Sequence, residues 1–363
     1  MKNLFLLSMS MYFCLAAFPA EPVITGDNWE LFRDVYSLVL DTYVEPKSPD
    51  QLLTGALEGL AAATGPECGY IPGSRLAETE AAEKSGFYLP LYITKNGGFA
   101  GVIAPFAGED PEIEPGDLLR FVNGRSVFDM NFPQLVAAMK GAESHEVTCG
   151  FMKKDSFKPY EKKLSMKKPA APVFRNIGEK CSVLEIPCLE ADIGQGLKEK
   201  LAVARSRMIL DLRGCASADE SRALVIAGML FGKGSLKFAG KNGTADIPFS
   251  GEGLIGNRKV VVLVDGTTAR GGEVLALAGS KNGTLAGAET YGFCALHEKV
   301  MLKNGDALVV LTGYFLDREG REIKDNPLKP DRALDVSDRG RKDDFYLKVL
   351  AEESKKDKND TAR

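Results

Sequence analysis

Between residues 172 and 350 the chain switches repeatedly between strand-like and helix-like patterns, and this alternation limits the fold more than any other sequence feature. Apolar runs of strand length at 182–186, 208–212 and 260–264 are interleaved with helical patterns at 193–204, 220–230 and 270–279. Repeats of this kind place helices against the faces of a sheet, so an α/β domain with much of its sheet parallel is expected. After residue 300 the pattern turns strand-rich, with a hairpin signal in DREGRE. The final segment, ESKKDKNDTAR, is charged throughout and is expected to be disordered.

A length of 363 residues is more than this one region needs, and two or three domains are expected. From 28 to about 70 the pattern is helical. Trp29, Phe32, Val35, Tyr36, Leu38 and Val39 recur at helical spacing, and 52–63 form a second amphipathic segment. Nothing there looks catalytic, and a small helical cap is the plain reading. From about 86 to 166 short strands take over: apolar runs at 87–91 and 118–122, PGD and NGR turns, a helix at 132–139 and a strand at 147–151.

Residues 1–20 read differently. Lys2 precedes an apolar run from Leu4 to Ala17, and small residues follow, which is the layout of a secretory signal peptide cleaved near Ala16 to Ala20. Export to a periplasmic or extracellular location is expected, and the mature chain carries no apolar run long enough to span a membrane. A net charge of −4 gives no reason to expect a nucleic-acid partner. Six cysteines remain after cleavage, an even number that permits disulfides without specifying them. Cys181 and Cys188 bracket one strand, whose ends lie more than about 20 Å apart, so these two cannot pair. His145 and His297 are the only histidines, and no cluster suggests a metal or other cofactor.

The strand, PGD, strand, NG, helix, strand order of 83–168 resembles a PDZ domain, and EPGDLLRFVNGRSVFDM resembles that family's PGD…ING stretch. The resemblance implies capture of an extended peptide by its carboxyl terminus along a free strand edge, here Gly86, Phe87, Tyr88 and Leu89. A PDZ fold used only as a rigid spacer is the alternative. Further motifs follow in order. GALEGLAAATGPECGYI resembles a cap segment ending in DPHS-Y; MILDLRG, an ILDLR-x-N-x-G-G strand; VVVLVDGTTARGGEVLALA, a VVVLVN-x-x-S-A-S-A-S-E strand and helix; GAETYGFC, a G-x-x-T-x-G-K-G segment; and LTGYFLDREGREIKDNPLKPD, a T-x-Y-T-P-S-G-R…PD ending. Together they resemble the tail-specific (carboxyl-terminal processing) serine peptidases. The implied layout is a signal peptide (1–20), a helical cap (21–82), a PDZ domain (83–168), a crotonase-like α/β core (169–352) and the charged tail (353–363).

Carried over by position, the family's nucleophilic serine lies three residues before Glu273, where this chain has Arg270. The family's lysine base is matched by Phe293 and an assisting glutamine by His297; the oxyanion donors fall at Gly271 and in the turn Cys215, Ala216, Ser217, Ala218. Arginine has no nucleophilic oxygen and stays protonated, and phenylalanine accepts no proton. The resemblance therefore implies a pseudoprotease whose partners are peptide or protein C-termini and an active relative. The rival is a working peptidase with a rearranged nucleophile: Cys294 with His297, or Thr267 or Thr268, or Lys233 of FGKGS as a displaced base. The family match also implies that Cys215 and Cys294 lie close enough to be bridged. Finally, a cation at a helix N-terminus needs an anion. Asp211, Asp265 or Glu289, or else the carboxylate of a bound peptide, is expected beside Arg270.

Overall fold

The computed structural model describes residues 26–95, 98–106, 112–179, 181–194, 196–281, 283–324, 326–336 and 343–360. The signal-peptide segment, 1–20, lies outside the described residues. The chain divides between Ala56 and Leu57 into two compact units.

In the first unit, helix Gly26–Thr42 carries an aromatic ladder: Trp29 stacks on Phe32 at 5.5 Å and Phe32 on Tyr36 at 6.4 Å, the spacing of helical neighbours. The next helix, Pro49–Thr64, begins with a reciprocal cap. Ser48 N–H donates to Gln51 Oε1 at 2.9 Å and Gln51 N–H to Ser48 Oγ at 3.2 Å, with proline in the first helical position.

The second unit is mixed α/β. Its central sheet runs in the order Val173–Ile177, Cys181–Glu185, Arg207–Asp211, Lys259–Val264, Gly283–Gly287, Arg332–Ala333, antiparallel only at the first pair. The strands alternate strictly: Val260, Val262 and Val264 join one buried cluster with Leu230, Val274 and Leu277 of the covering helices, and Val261 and Leu263 join another with Tyr346 and Val349. Both faces are covered, as a largely parallel sheet requires. Helices Leu197–Ala202, Glu220–Phe231 and Gly271–Ser280 belong to this layer. The first is shorter than expected because Gly196, at φ 66°, holds a left-handed cap that stops the helix extending back to 193. The last helix, Asp343–Asp360, runs well into the tail expected to be disordered. Tyr346, whose hydroxyl donates to Asp211 Oδ2 at 2.7 Å, anchors its first turn, and the lysine- and glutamate-rich sequence beyond favours helix.

A second sheet orders Gly69–Ile71, Ala307–Phe315, Gly234–Gly240 and Gly243–Phe249, with Ala295–Met301 also on Ala307–Phe315. The third orders Leu91–Lys95, Ala100–Pro105, Leu118–Val122, Glu146–Met152 and Pro159–Ser165 around helix Phe132–Ala138. Its NG turn is as the sequence signals: Asn123 at φ 49° and Gly124 at φ 76° give the paired positive φ of a primed hairpin turn.

One expectation in this region is corrected. The run at 87–91 is not one strand, because Pro90 cannot donate to a ladder. Phe87–Tyr88 pairs with Lys140–Gly141 on one edge, and Tyr88 exchanges both backbone hydrogen bonds with Lys167 at 2.9 Å on the other. The stretch Gly86, Phe87, Tyr88, Leu89 thus offers no free edge: Leu89 N–H also donates to Met139 O at 2.7 Å. Leu91–Lys95 is one end strand of the sheet and, among the described residues, pairs only with Ala100–Pro105. No helix among the described residues is long and apolar enough to cross a membrane.

Candidate functional site

Strand Lys259–Val264 leaves the central sheet into a tight turn that ends at Arg270 and opens helix Gly271–Ser280. The turn uses up its hydroxyls. Thr267 donates its N–H and its hydroxyl to Asp265 Oδ1 at 2.9 and 2.6 Å. Thr268, fully buried, donates to Leu212 O at 2.9 Å and accepts from Asp265 N–H at 3.1 Å. Both threonines build the turn, and neither hydroxyl faces the cavity described below.

Arg270 sits at φ 56° and ψ −119°, a conformation that costs a side-chain-bearing residue on the order of 1–3 kcal/mol. Its surroundings hold it there. Its N–H donates to Phe293 O and to Glu273 Oε2, both at 3.0 Å. Glu273 also accepts from Gly292 N–H at 2.9 Å, from Phe293 N–H at 3.1 Å and from the Thr290 hydroxyl, so one carboxylate organises the whole 290–293 loop. Burial pushes Glu273 up to about 7 against these four donors. Beyond the helix start, Gly271 N–H donates to Ser217 O at 2.9 Å, and a Cβ at Gly272 would lie 2.1 Å from Cys215 O. The 215–219 turn therefore lies directly on the helix N-terminus, and the amide at the oxyanion position is already engaged. The Ser217 hydroxyl donates to Glu190 Oε1 at 2.6 Å.

The Arg270 side chain, with the residue 1% exposed, fills the centre. Nη1 donates to Glu67 Oε2 at 2.6 Å, and Nε lies 3.3 Å from Glu220 Oε1. The guanidinium is centred 5.5 Å from the Phe132 ring and 5.6 Å from the Phe293 ring. Burial works against its charge, but the two carboxylates hold it firmly protonated. Burial also raises Glu220 to about 8, with Arg270 opposing. The compensating anion is thus internal, and the expected partners are corrected. Asp211 is taken by Arg213 and Tyr346, Asp265 by Thr267, and the carboxylates that reach Arg270 are Glu67 and Glu220. The sequence signal for Glu67 was its place in GPECGY, the segment resembling DPHS-Y; Glu220 carried no signal beyond being the first residue of a helix.

The alternative nucleophiles are not assembled. Cys294 is fully buried with its thiol on Arg270 O at 3.5 Å, and burial raises the thiol well above its usual range, helped by the Glu273 and Glu220 charges. His297 follows a bulge in strand Ala295–Met301 and turns Nε2 toward Glu67 Oε2 at 3.8 Å. Burial and the nearby Arg270 lower it to about 4, so it is neutral at pH 7. Lys233 is exposed in the turn before strand Gly234–Gly240. Cys215 and Cys294 share one core cluster, but both are free thiols, as are the other four described cysteines, so the expected bridge is absent.

A cavity of about 440 Å³ adjoins this centre. Part of its lining is apolar, from Leu89, Leu91 and Ile93 on one side and Phe132, Val136 and Met139 on the other. Another part is polar and aromatic, with Tyr88, Tyr92, Glu190, Asp219 and Arg222; Arg270 and His297 complete it.

Residues 180–334 match the model of peptidase family S41. The chain is 23% identical over 336 residues to the carboxy-terminal processing protease CtpA of Bacillus subtilis (strain 168), covering 86% of this chain and 71% of that protein. It is 23% identical over 324 residues to a "Probable CtpA-like serine protease" of Staphylococcus aureus (strain bovine RF122 / ET3-1), covering 85% of this chain and 65% of that one. A solved structure titled photosystem II D1 C-terminal processing protease shares the fold, with a TM-score of 0.64 at 21% identity over 86% of this chain and 94% of that chain. Over residues 180–334 the chain is thus similar to the peptidases of family S41. Over most of its length it is similar to carboxy-terminal processing proteases, in sequence to the Bacillus subtilis protein and in fold to the solved structure.

Proposed function

We propose that this chain is an exported, non-catalytic member of its family that binds peptide or protein C-termini. The observation that carries the reading is Arg270: at the position matching the nucleophile stands a buried guanidinium paired with Glu67 and Glu220. Phe293, at the position matching the base, stacks on that guanidinium and offers no proton acceptor. Among the described residues, the Thr267 and Thr268 hydroxyls are engaged in the turn and burial raises the Cys294 thiol.

The binding function rests on the third sheet, taken as a PDZ domain over 83–168 between a helical cap and the 169–352 core. Leu91–Lys95 has an edge free of strand pairing, and it faces a cavity with Phe132, Val136 and Met139 of the neighbouring helix segment. An extended peptide adding to that edge gains backbone hydrogen bonds and an apolar slot for a side chain. Leu89 and Tyr88 contribute to the lining, whereas Gly86 is the left-handed cap before them and Phe87 pairs with Gly141. An active relative is the partner such a protein would regulate or supply with substrates.

The test uses the purified mature chain and an unstructured, free-acid C-terminal tail. Binding without cleavage, and no labelling by a serine-directed fluorophosphonate, are expected. Turnover that survives Thr267→Ala, Thr268→Ala and Cys294→Ala singly, and scales with purity, overturns the reading.

A further inference from the structure

The polar part of the cavity contains two carboxylates without an ion-pair partner among the described residues. Glu190 accepts from the Ser217 hydroxyl at 2.6 Å and faces the Tyr92 hydroxyl at 3.4 Å, and Asp219 accepts from the Arg222 N–H at 2.8 Å. All these donors are neutral. The Arg222 guanidinium, in the same lining, is turned to Ala191 O at 2.8 Å. Burial, with the Asp219 charge adding to it, lifts Glu190 above the ordinary carboxylate range, while the Ser217 hydroxyl and the Lys140 charge oppose it, so a cation brought to this corner would favour the ionised form.

Aromatic rings complete this corner. Tyr92 and Phe106 pack at 4.8 Å between centroids, and Tyr88 lines the same space. Both tyrosines feel the Glu190 charge. The outer ring already accepts a cation, since Lys140 Nζ lies 5.5 Å over the Tyr88 centroid. Carboxylates beside ring faces, in a cavity continuous with an apolar slot, form an environment for a cation on a flexible apolar stem.

We infer that this corner receives a lysine or arginine side chain of the bound peptide, so that the ligand class is a C-terminus with an apolar residue and a basic residue upstream of it. This rests on the peptide-binding reading above and adds a second specificity element to it. The apolar stem would lie along Tyr88 and Phe106, and the charged head would meet Glu190 and Asp219.

The experiment measures fluorescence anisotropy of the mature chain with short free-acid peptides that share an apolar C-terminal residue. One upstream position at a time carries lysine, norleucine or glutamate. At one position lysine should bind about fivefold to tenfold more tightly than norleucine, with glutamate weakest. The double variant Glu190→Gln, Asp219→Asn should bring the lysine-to-norleucine ratio close to one. Glutamine still accepts from Ser217 and asparagine still caps the Glu220–Phe231 helix, and a thermal melt matching the parent confirms that the fold is kept. A ratio near one at every position, or a ratio unchanged in the double variant, overturns the inference while leaving peptide binding intact. Absence of binding by every peptide removes the peptide-binding reading and this inference together.

Discussion

The Arg270 centre and the Leu91–Lys95 edge border one cavity but have opposite physical character. At Arg270, charge is buried and met from inside the fold: the guanidinium is hydrogen-bonded to Glu67, lies 3.3 Å from Glu220 and sits near two aromatic rings. At Leu91–Lys95, strand pairing is incomplete, and an apolar slot lies beside an unpaired edge. Reacting groups must be exposed and poised, whereas a binding groove must present unsatisfied surface. On the proposed reading, a peptidase scaffold loses the first requirement and keeps the second, because different elements supply each.

The largest effect is expected from Arg270→Ser. It restores a hydroxyl but strands Glu67 and Glu220 together in the interior and removes two cation–π contacts. Breaking a buried ion group of this kind costs about 3–5 kcal/mol. The melting temperature should fall sharply with or without peptide, and no cleavage should appear, since Phe293 still accepts no proton. An unchanged melting temperature would break the claim that this region is structural.

A smaller effect concerns pH. Glu220, at about 8 when folded, lies above its unfolded value of about 4.3. The unfolded chain therefore releases this proton first, and the stability from burying the neutral acid is present below about pH 4.3 and lost as pH rises through 8. Glu273 acts in the same direction up to about 7. His297, lowered to about 4, acts oppositely: its contribution is present above about 6.5 and lost as pH falls through 4. Urea unfolding from pH 5 to 8 should show declining stability in the parent, and Glu220→Gln should flatten it by on the order of 1 kcal/mol per pH unit. A parallel decline in both would show that Glu220 stays ionised beside Arg270.

The smallest expected effect is in the groove. Val136→Asp places charge in the apolar slot and should weaken peptide binding about tenfold, with little change in melting temperature. Equal affinity in parent and variant would mean that peptides bind elsewhere.

The alternating layers of the core were legible because each strand is covered on both faces, so its apolar run survives in sequence. Helix starts at Glu220 and Gly271 were close to their observed positions for the same reason. The edge strand was misplaced because the decisive residue, Pro90, acts through a missing N–H, which a hydrophobic pattern does not register. The occupants of the central site were legible one by one: Arg270, Phe293, Cys294 and His297 all surround it. Their partners were not, because Glu67 reaches Arg270 from 203 positions away and Glu220 from another helix. The tail was misread because charge density alone does not distinguish a disordered segment from a helix nucleated by the buried Tyr346 and Val349.

The most direct test follows binding and cleavage in a single sample. A fluorescent, unstructured free-acid tail is titrated with the mature chain, and the same mixture is analysed by mass spectrometry after prolonged incubation. Saturable binding that is competed by free-acid but not by amidated peptide is expected, with the tail recovered intact. Truncated tail accumulating in proportion to the purified protein would contradict it.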